Sequence, residues 1–526
     1  MSLIGIVFLF TRLWELTLIP VSNDEAMYLY FSKIITSSPS ELFISKVDSK
    51  QPLFMWLISI AFNWFSDPLF AGRFVSVLAG LGTLIGVYKL TDILYSTRAA
   101  LMASVIYICC PYNLFHERMI FLESLLSCLG VWIFIFSIQI ARAEKNEAKQ
   151  FAFLGASMGF AFLTKATAVL LFPVPIFIFL IYKSYKKENF FRLFILALSI
   201  CACISSSYFL ATQQLGFSKS HIFLNNPLYF HGVAELINLP WHQWKTNLWL
   251  LAEFYIYYLT APIIFVLALS VWSSFKNKRK EEICLWFWAV IPPLVIVTIA
   301  KIFFSRYFLI FIPPLIILAG NALEKLGKRL SFMMNARMNR SKESLREGVV
   351  GFLLLTLISM EGLSFSMSLI KNPMKATMPK IDRYQYLESI ISGHGIAEGI
   401  EFLREKSKSL PIQLFISTFR GNPQDGFSVY LWDDTRIRMI PAPWWPENPK
   451  LFPQEEKFPV LTSKYQGSTS TFEKTDALNN VYFIYPHTTY QKEEFYLNNP
   501  QWKKVWQFLK PDRKSHVEIY KYEEPR

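Results

Sequence analysis

Asp24 and Glu25 stand side by side in Ser22-Asn23-Asp24-Glu25-Ala26-Met27-Tyr28, directly after the first long apolar run. Other polar residues sit at the ends of later apolar runs: Lys50 before Gln51-Pro52, then Arg73, His116-Glu117-Arg118, Glu123, Lys165 and Arg306-Tyr307. A charge at the centre of a membrane span costs about 2.5–3.5 kcal/mol, so such residues are functional candidates by default. Three acids among several Lys and Arg around one cavity suit a reaction that moves a group away from an anionic phosphate ester. A carboxylate takes the proton of an attacking hydroxyl, and cations stabilise the departing phosphate.

Plainer roles compete for each residue. Ser22 and Glu25 have the spacing of a capping box, and Asp24 in a first helical turn suits the helix dipole. Lys165 and Arg118 can snorkel to headgroups, Arg73 and Arg306 can pair with lipid phosphate, and Glu123 can neutralise Arg118. His116 and Glu123, seven apart, share a face if a helix starts at His116.

The elements that must position these groups are membrane spans. Of 526 residues, 53% are hydrophobic, 17% aromatic and only 17% charged, which is too apolar for an ordinary soluble protein. Eleven runs are apolar enough to cross ~30 Å of hydrocarbon: 3–21, 68–91, 98–115, 119–141, 151–165, 166–183, 190–211, 248–274, 283–300, 303–324 and 347–370. The formal charge of +14 comes largely from Lys and Arg in the connectors after every second run, so it sets topology and does not point to nucleic acid. Those connectors face the cytoplasm by the positive-inside rule. Asp24, Glu25, the 212–247 loop and everything after 371 then face outward from the cytoplasmic (inner) membrane. The first run lacks a basic leader and a small-residue cleavage site, which predicts a retained span delivering both acids to its far end.

Between the first two runs, Ala26 to Ile35 and Pro52 to Phe65 have the pattern of amphipathic interfacial helices. Trp241, Trp244 and Trp249 read as interfacial anchors, and His221, His231 and His242 have no metal-ligand spacing. All six cysteines lie in apolar runs as buried thiols. No metal is expected. From about 371 the composition turns soluble, giving two domains, 1–370 in the membrane and 371–526 as a small extracytoplasmic (periplasmic) α/β domain. Strands are predicted at Ile412–Ser417, Val429–Trp432, Arg436–Ile440, Val481–Tyr485 and Val517–Tyr522, and helices near Ile396–Ser407 and Gln491–Leu497. That domain carries no phosphate-binding fingerprint or nucleophile elbow.

Taken together, Asp24-Glu25, Lys50-Gln51-Pro52-Leu53, Gly72-Arg73-Phe74-Val75-Ser76, His116-Glu117-Arg118-Met119 with Glu123, Gly159 to Lys165, and Arg306-Tyr307-Phe308 occur in family order. The chain resembles the protein mannosyltransferase and aminoarabinose transferase superfamily of C-type membrane glycosyltransferases, strongly over 1–325. Asp382-Arg383-Tyr384-Gln385-Tyr386 and Ser392-Gly393-His394-Gly395 are similar to the outer domain of its bacterial members. Gln51 stands where the family often has Pro, and Glu123 where it often has Asp.

The resemblance implies a C-type glycosyltransferase fold and inverting transfer of a sugar from a polyprenyl-phosphate-linked donor to a lipid, glycan or protein acceptor at the outer face. It implies Asp24 as base or acceptor-orienting acid, with Glu25 as its partner. Lys50, Arg73, Lys165 and Arg306 would contact donor phosphate or build the site, with His116, Arg118, Glu123 and Tyr307 beside them. The partners implied are membrane lipid, the donor lipid and the acceptor. A transporter or flippase, or a ligase of lipid-linked glycans, is the competing reading. A transporter is expected to show repeated halves with broken spans at midplane, and no such repeat is visible.

Overall fold

A computed structural model describes residues 2–48, 50–145, 147–214, 229–335, 343–417, 421–442, 480–485 and 501–523. The chain forms two compact units, one of Met1–Leu16, Ser45–Phe54 and Arg73–Pro379, the other of Thr17–Ile44, Met55–Gly72 and Lys380–Arg526.

The first unit is helical. All eleven apolar runs carry helix, but they differ in length. Among the described residues, six helices are long and apolar enough to cross a membrane, and up to eight if each of two bent pairs is one span. The pairs are Thr97–Cys109 with Pro111–Glu117, bent by 58°, and Trp241–Leu259 with Ala261–Ser274, bent by 110°. Pro111 and Pro262 follow the breaks, where a missing N–H costs nothing at a helix start. The remaining runs give shorter helices: Ser2–Leu13, Ala148–Thr164, and Pro173–Ile181 after the 3₁₀ turn Ala166–Leu171. The chain is a multi-pass membrane protein. In the most apolar 18 residues of Ser305–Met333, 94% of the residues are buried by the rest of the protein, whereas in Phe190–Leu210 and Arg346–Lys371 the shares are 17% and 28%, and these helices present Leu, Ile and Phe outward, as lipid-facing helices do.

One expectation is corrected here. The first run does not continue as one helix from Leu3 to Val21. It stops at Leu13 because Arg118 reaches its C-terminal end, donating from Nη1 to the carbonyls of Arg12 and Trp14, each at 2.8 Å, and from Nη2 to Glu15 O at 2.6 Å. A guanidinium that satisfies the orphan carbonyls of a helix end makes a fixed stop.

The second unit holds the helix Asn23–Ser37, near the expected Ala26 to Ile35, and a five-stranded sheet in the order β2-β1-β3-β5-β4. The strands are β1 Ile412–Ser417, β2 Ile437–Ala442, β3 Val481–Tyr485, β4 Trp502–Leu509 and β5 His516–Tyr522. β1 is parallel to β2 and β3, and β5 runs antiparallel to β3 and β4. Phe415, Val481, Phe483, Trp502 and Tyr520 make one buried apolar cluster on it. The helix Ile396–Ser407 forms as predicted. Val429–Trp432 is not a strand: Val429 and Tyr430 end the helix Gln424–Tyr430, which packs on Asn23–Ser37, and tertiary burial overrides the β-propensity of Val and Tyr. The helix expected at Gln491–Leu497, like His221, lies outside the described residues.

Candidate active site

In the first unit the site grows from a break between two helices. Pro111–Glu117 ends, the chain extends through Phe121, and Leu122–Arg142 begins. His116 and Glu123 therefore lie on different helices and share no helical face, contrary to the seven-residue spacing argument. Tyr112 and His116 both reach the 3₁₀ turn Ser305–Phe311. Tyr112 donates its hydroxyl to Ser305 O at 2.6 Å. His116 Nδ1 is 2.8 Å from Tyr112 O, which can only accept, so the neutral ring carries its proton there and Nε2 accepts from Ser305 Oγ at 3.0 Å. His116 is fully buried and holds the side chain of Ser305, the residue before Arg306, while Tyr112 holds its backbone carbonyl.

Glu123 lies in the first turn of its helix with a side chain only 3% exposed. It accepts from Lys165 Nζ, and Arg306 Nε stands 4.0 Å from the same Oε1. Lys165 is placed by the end of Ala148–Thr164, where its own extended backbone turns the chain into the next 3₁₀ segment. Tyr307 packs its ring 4.5 Å from Lys165 Nζ, and Arg306 lies over Phe304 at 4.7 Å and Phe121 at 5.5 Å. Lys50, paired with Asp48 at 3.3 Å, is within electrostatic reach of Lys165. The sequence-predicted Glu123, Lys165, Arg306 and Tyr307 thus come together, one carboxylate between two cations with aromatic walls, while Lys50 has its own carboxylate partner in Asp48.

Other predicted residues serve the frame. Arg73 is fully buried and donates to Leu16 O at 2.8 Å, and Arg118 caps the first helix, so Glu123 does not neutralise Arg118. Glu117 pairs with Arg12 Nε at 3.1 Å and accepts from the Tyr107 hydroxyl, while Arg12 Nη1 donates to Ile108 O at 2.8 Å. Arg12 was not singled out from sequence. Its signal was there, a lone Arg in an apolar run. Ser305 and Tyr112 had no such signal, because only the fold brings them to His116.

In the second unit, Asp24 and Glu25 open the helix Asn23–Ser37 after Ser22 in extended conformation. Glu25 is fully buried, and its Oε2 accepts from both Ser22 N and Ser22 Oγ at 2.9 Å. The capping-box reading therefore describes Glu25. Asp24 is half-buried one position earlier.

Residues 49–208 match the family model of dolichyl-phosphate-mannose-protein mannosyltransferase. Over its whole length the chain superposes on crystal structures of ArnT from Cupriavidus metallidurans. The TM-score is 0.59 with 12% identity for the apo state and 0.57 with 14% identity for the form bound to undecaprenyl phosphate, covering 100% of this chain and 98% of each. The chain has the ArnT-like fold of C-type membrane glycosyltransferases. What it shares with ArnT is the fold, the helical membrane portion together with the small C-terminal sheet domain. An uncharacterized protein of Aquifex aeolicus (strain VF5) is 25% identical over 337 residues, 62% of this chain and 72% of that protein. The family match spans Lys50, Arg73, His116, Arg118, Glu123 and Lys165, which includes both the buried Glu123–Lys165 pair and the residues that frame it.

Proposed function

We propose that this protein is an inverting glycosyltransferase that takes a sugar from a polyprenyl-phosphate donor and gives it to a hydroxyl-bearing acceptor at the outer face of the cytoplasmic membrane. The observation that carries the reading is the buried Glu123–Lys165–Arg306 cluster with Lys50 in reach. Cations held by a carboxylate on rigid elements stabilise charge that develops on a leaving phosphate, and they need no reorganisation when it appears. The undecaprenyl phosphate bound by ArnT, a protein of the same fold, supports a lipid-phosphate donor. Asp24 is the group proposed to take the acceptor proton, so that the acceptor oxygen bonds to the anomeric carbon as the bond to phosphate oxygen breaks. Glu25 is proposed to fix the turn that presents Asp24.

The purified protein in nanodiscs, given undecaprenyl-phosphate mannose or undecaprenyl-phosphate aminoarabinose with a membrane-lipid extract as acceptor source, should release undecaprenyl monophosphate in step with sugar transfer. Release of a diphosphate from lipid-linked glycan would favour a ligase instead. Donor movement across the bilayer without bond cleavage would favour a flippase.

The proposed orientation has its own test. In a cysteine-free background, Lys514→Cys should react with an impermeant thiol reagent in intact spheroplasts and Lys276→Cys, in a basic connector, should react only after lysis. Reversed labelling would put Asp24 on the wrong side for this chemistry.

A further inference from the structure

We infer that the C-terminal α/β domain is the mount that fixes Asp24, with Asn422 as a positioning residue. The inference deepens the proposed reading of Asp24 and rests on it. Two segments far away in sequence converge on the stretch that carries the acid. Asn422 Nδ2 donates to Val21 O at 2.8 Å and to Ile391 O at 3.4 Å, and its backbone N–H donates to Asn23 Oδ1 at 2.8 Å. Asn23 N–H in turn donates to Ile391 O at 3.2 Å. One asparagine thereby ties the entry to the helix Asn23–Ser37 to the loop at 391 and to its own loop.

Both loops are themselves pinned from behind. Lys510 Nζ donates to Ile390 O and Ser392 O, each at 2.6 Å, and Gly421 N–H donates to Asp425 Oδ2 at 2.6 Å. The fit leaves no room for a side chain at two glycines. A Cβ on Gly393 would stand 2.1 Å from Val21 O, and one on Gly421, whose φ is +92°, would stand 2.0 Å from Asn23 Oδ1. The far end of the same helix is also held, by Trp432 Nε1 donating to Ser37 Oγ at 3.0 Å and by Tyr30 edge-on to Trp432 at 5.8 Å.

The physical need is plain. A general base must lie about 2.6–3.2 Å from the proton it takes, and a displacement of about 1 Å costs on the order of 10²-fold in rate. A single helical turn that follows an irregular stretch cannot hold that tolerance alone. The sequence of the sheet domain carries no nucleophile elbow or phosphate-binding fingerprint, and its contacts with Val21 and Asn23 give it a part in the reaction without one.

The test is a double-mutant cycle on undecaprenyl-phosphate mannose turnover, using Asp24→Asn, Asn422→Ala and the pair. Asn422→Ala should lower kcat by about 10–10²-fold and leave KM for the donor unchanged. In the Asp24→Asn background the same change should cost less than about twofold, because the two act as one unit. An equal loss in both backgrounds would overturn the mount. Asn480→Ala controls for general weakening of the domain: Asn480 binds the carbonyls of Leu410 and Pro411 at 3.0 and 3.3 Å, away from the acid, so its loss should lower Tm and spare kcat. A turnover-independent arm separates this inference from the reading of Asp24. Asn422→Ala should speed amide hydrogen exchange at Asn23 and Ala26 in the intact protein, and unchanged exchange there overturns the mount whatever the activity. A fully active Asp24→Asn protein with faster exchange in Asn422→Ala would instead leave the mount standing and remove the catalytic role of Asp24.

Discussion

Asp24→Asn should lower kcat by ~10²–10⁴-fold on a neutral hydroxyl acceptor, the range for removing a general base, while Tm hardly moves. The amide keeps the volume of the side chain and a fair preference for the start of a helix. What it loses is the ability to take a proton. The alternative is that Asp24 only complements the dipole of the helix Asn23–Ser37. The same change would then cost at most about 1 kcal/mol of stability and leave the rate nearly intact. Ser22→Ala separates the two effects from the other side. It deletes the hydroxyl that donates to Glu25 at 2.9 Å and should cost about 0.5–2 kcal/mol, with a loss of rate only so far as the turn loosens. An anionic phosphate acceptor needs no base, so the assay must use a neutral hydroxyl. Full activity of Asp24→Asn there ends the catalytic claim.

How far the sequence carried the fold depends on how local the deciding interactions are. β1 and β3 were legible residue for residue, because short β-branched and aromatic runs between turn residues have few other fates. β4 was missed. It is an edge strand paired only with β5, its outward positions hold Lys503 and Lys504, and its register shifts between Lys504 and Trp506, so the alternation is broken. The eleven apolar runs were visible, but not where each helix ends. The first ends at Leu13 because of an arginine more than a hundred residues later, which no local pattern encodes.

The candidate site divides in the same way. That Glu123, Lys165 and Arg306 are expensive where they stand was readable from their neighbours, whereas their partners were not. Sequence proximity paired Glu123 with Arg118, and the fold pairs it with Lys165 and Arg306 while Glu117 takes Arg12. The capping box at Ser22 and Glu25 lay between these cases. Its spacing was local and the structure contains it through Glu25, and the chemistry proposed for Asp24 does not depend on it.

Removing the half-buried cation that faces the buried Glu123 should be the second large effect, and it must be done without stranding a charge. Lys165→Met alone leaves Glu123, 3% exposed, facing only Arg306 at 4.0 Å, and breaking a buried pair from one side costs about 3–5 kcal/mol. Lost activity in that variant would not distinguish a missing phosphate contact from a collapsed site. Lys165→Met with Glu123→Gln removes both charges together, and such paired replacements are often neutral for stability. The double variant should keep its Tm within a few degrees and lose ~10²–10³-fold in kcat/KM for undecaprenyl-phosphate mannose, the cost of deleting one preorganised contact to developing negative charge. Arg306→Lys should also be impaired, because Lys cannot reproduce the planar guanidinium stacked over Phe304 and Phe121. The matched control is Arg142→Met with Glu281→Gln, which deletes an ion pair of 2.7 Å on the basic connector side of the membrane. That pair joins the ends of two spans and meets none of the residues assigned to the donor, so its loss should spare turnover. If the Lys165 double variant turns over limiting donor at the unaltered rate, the buried cluster is structural and the donor phosphate is held elsewhere.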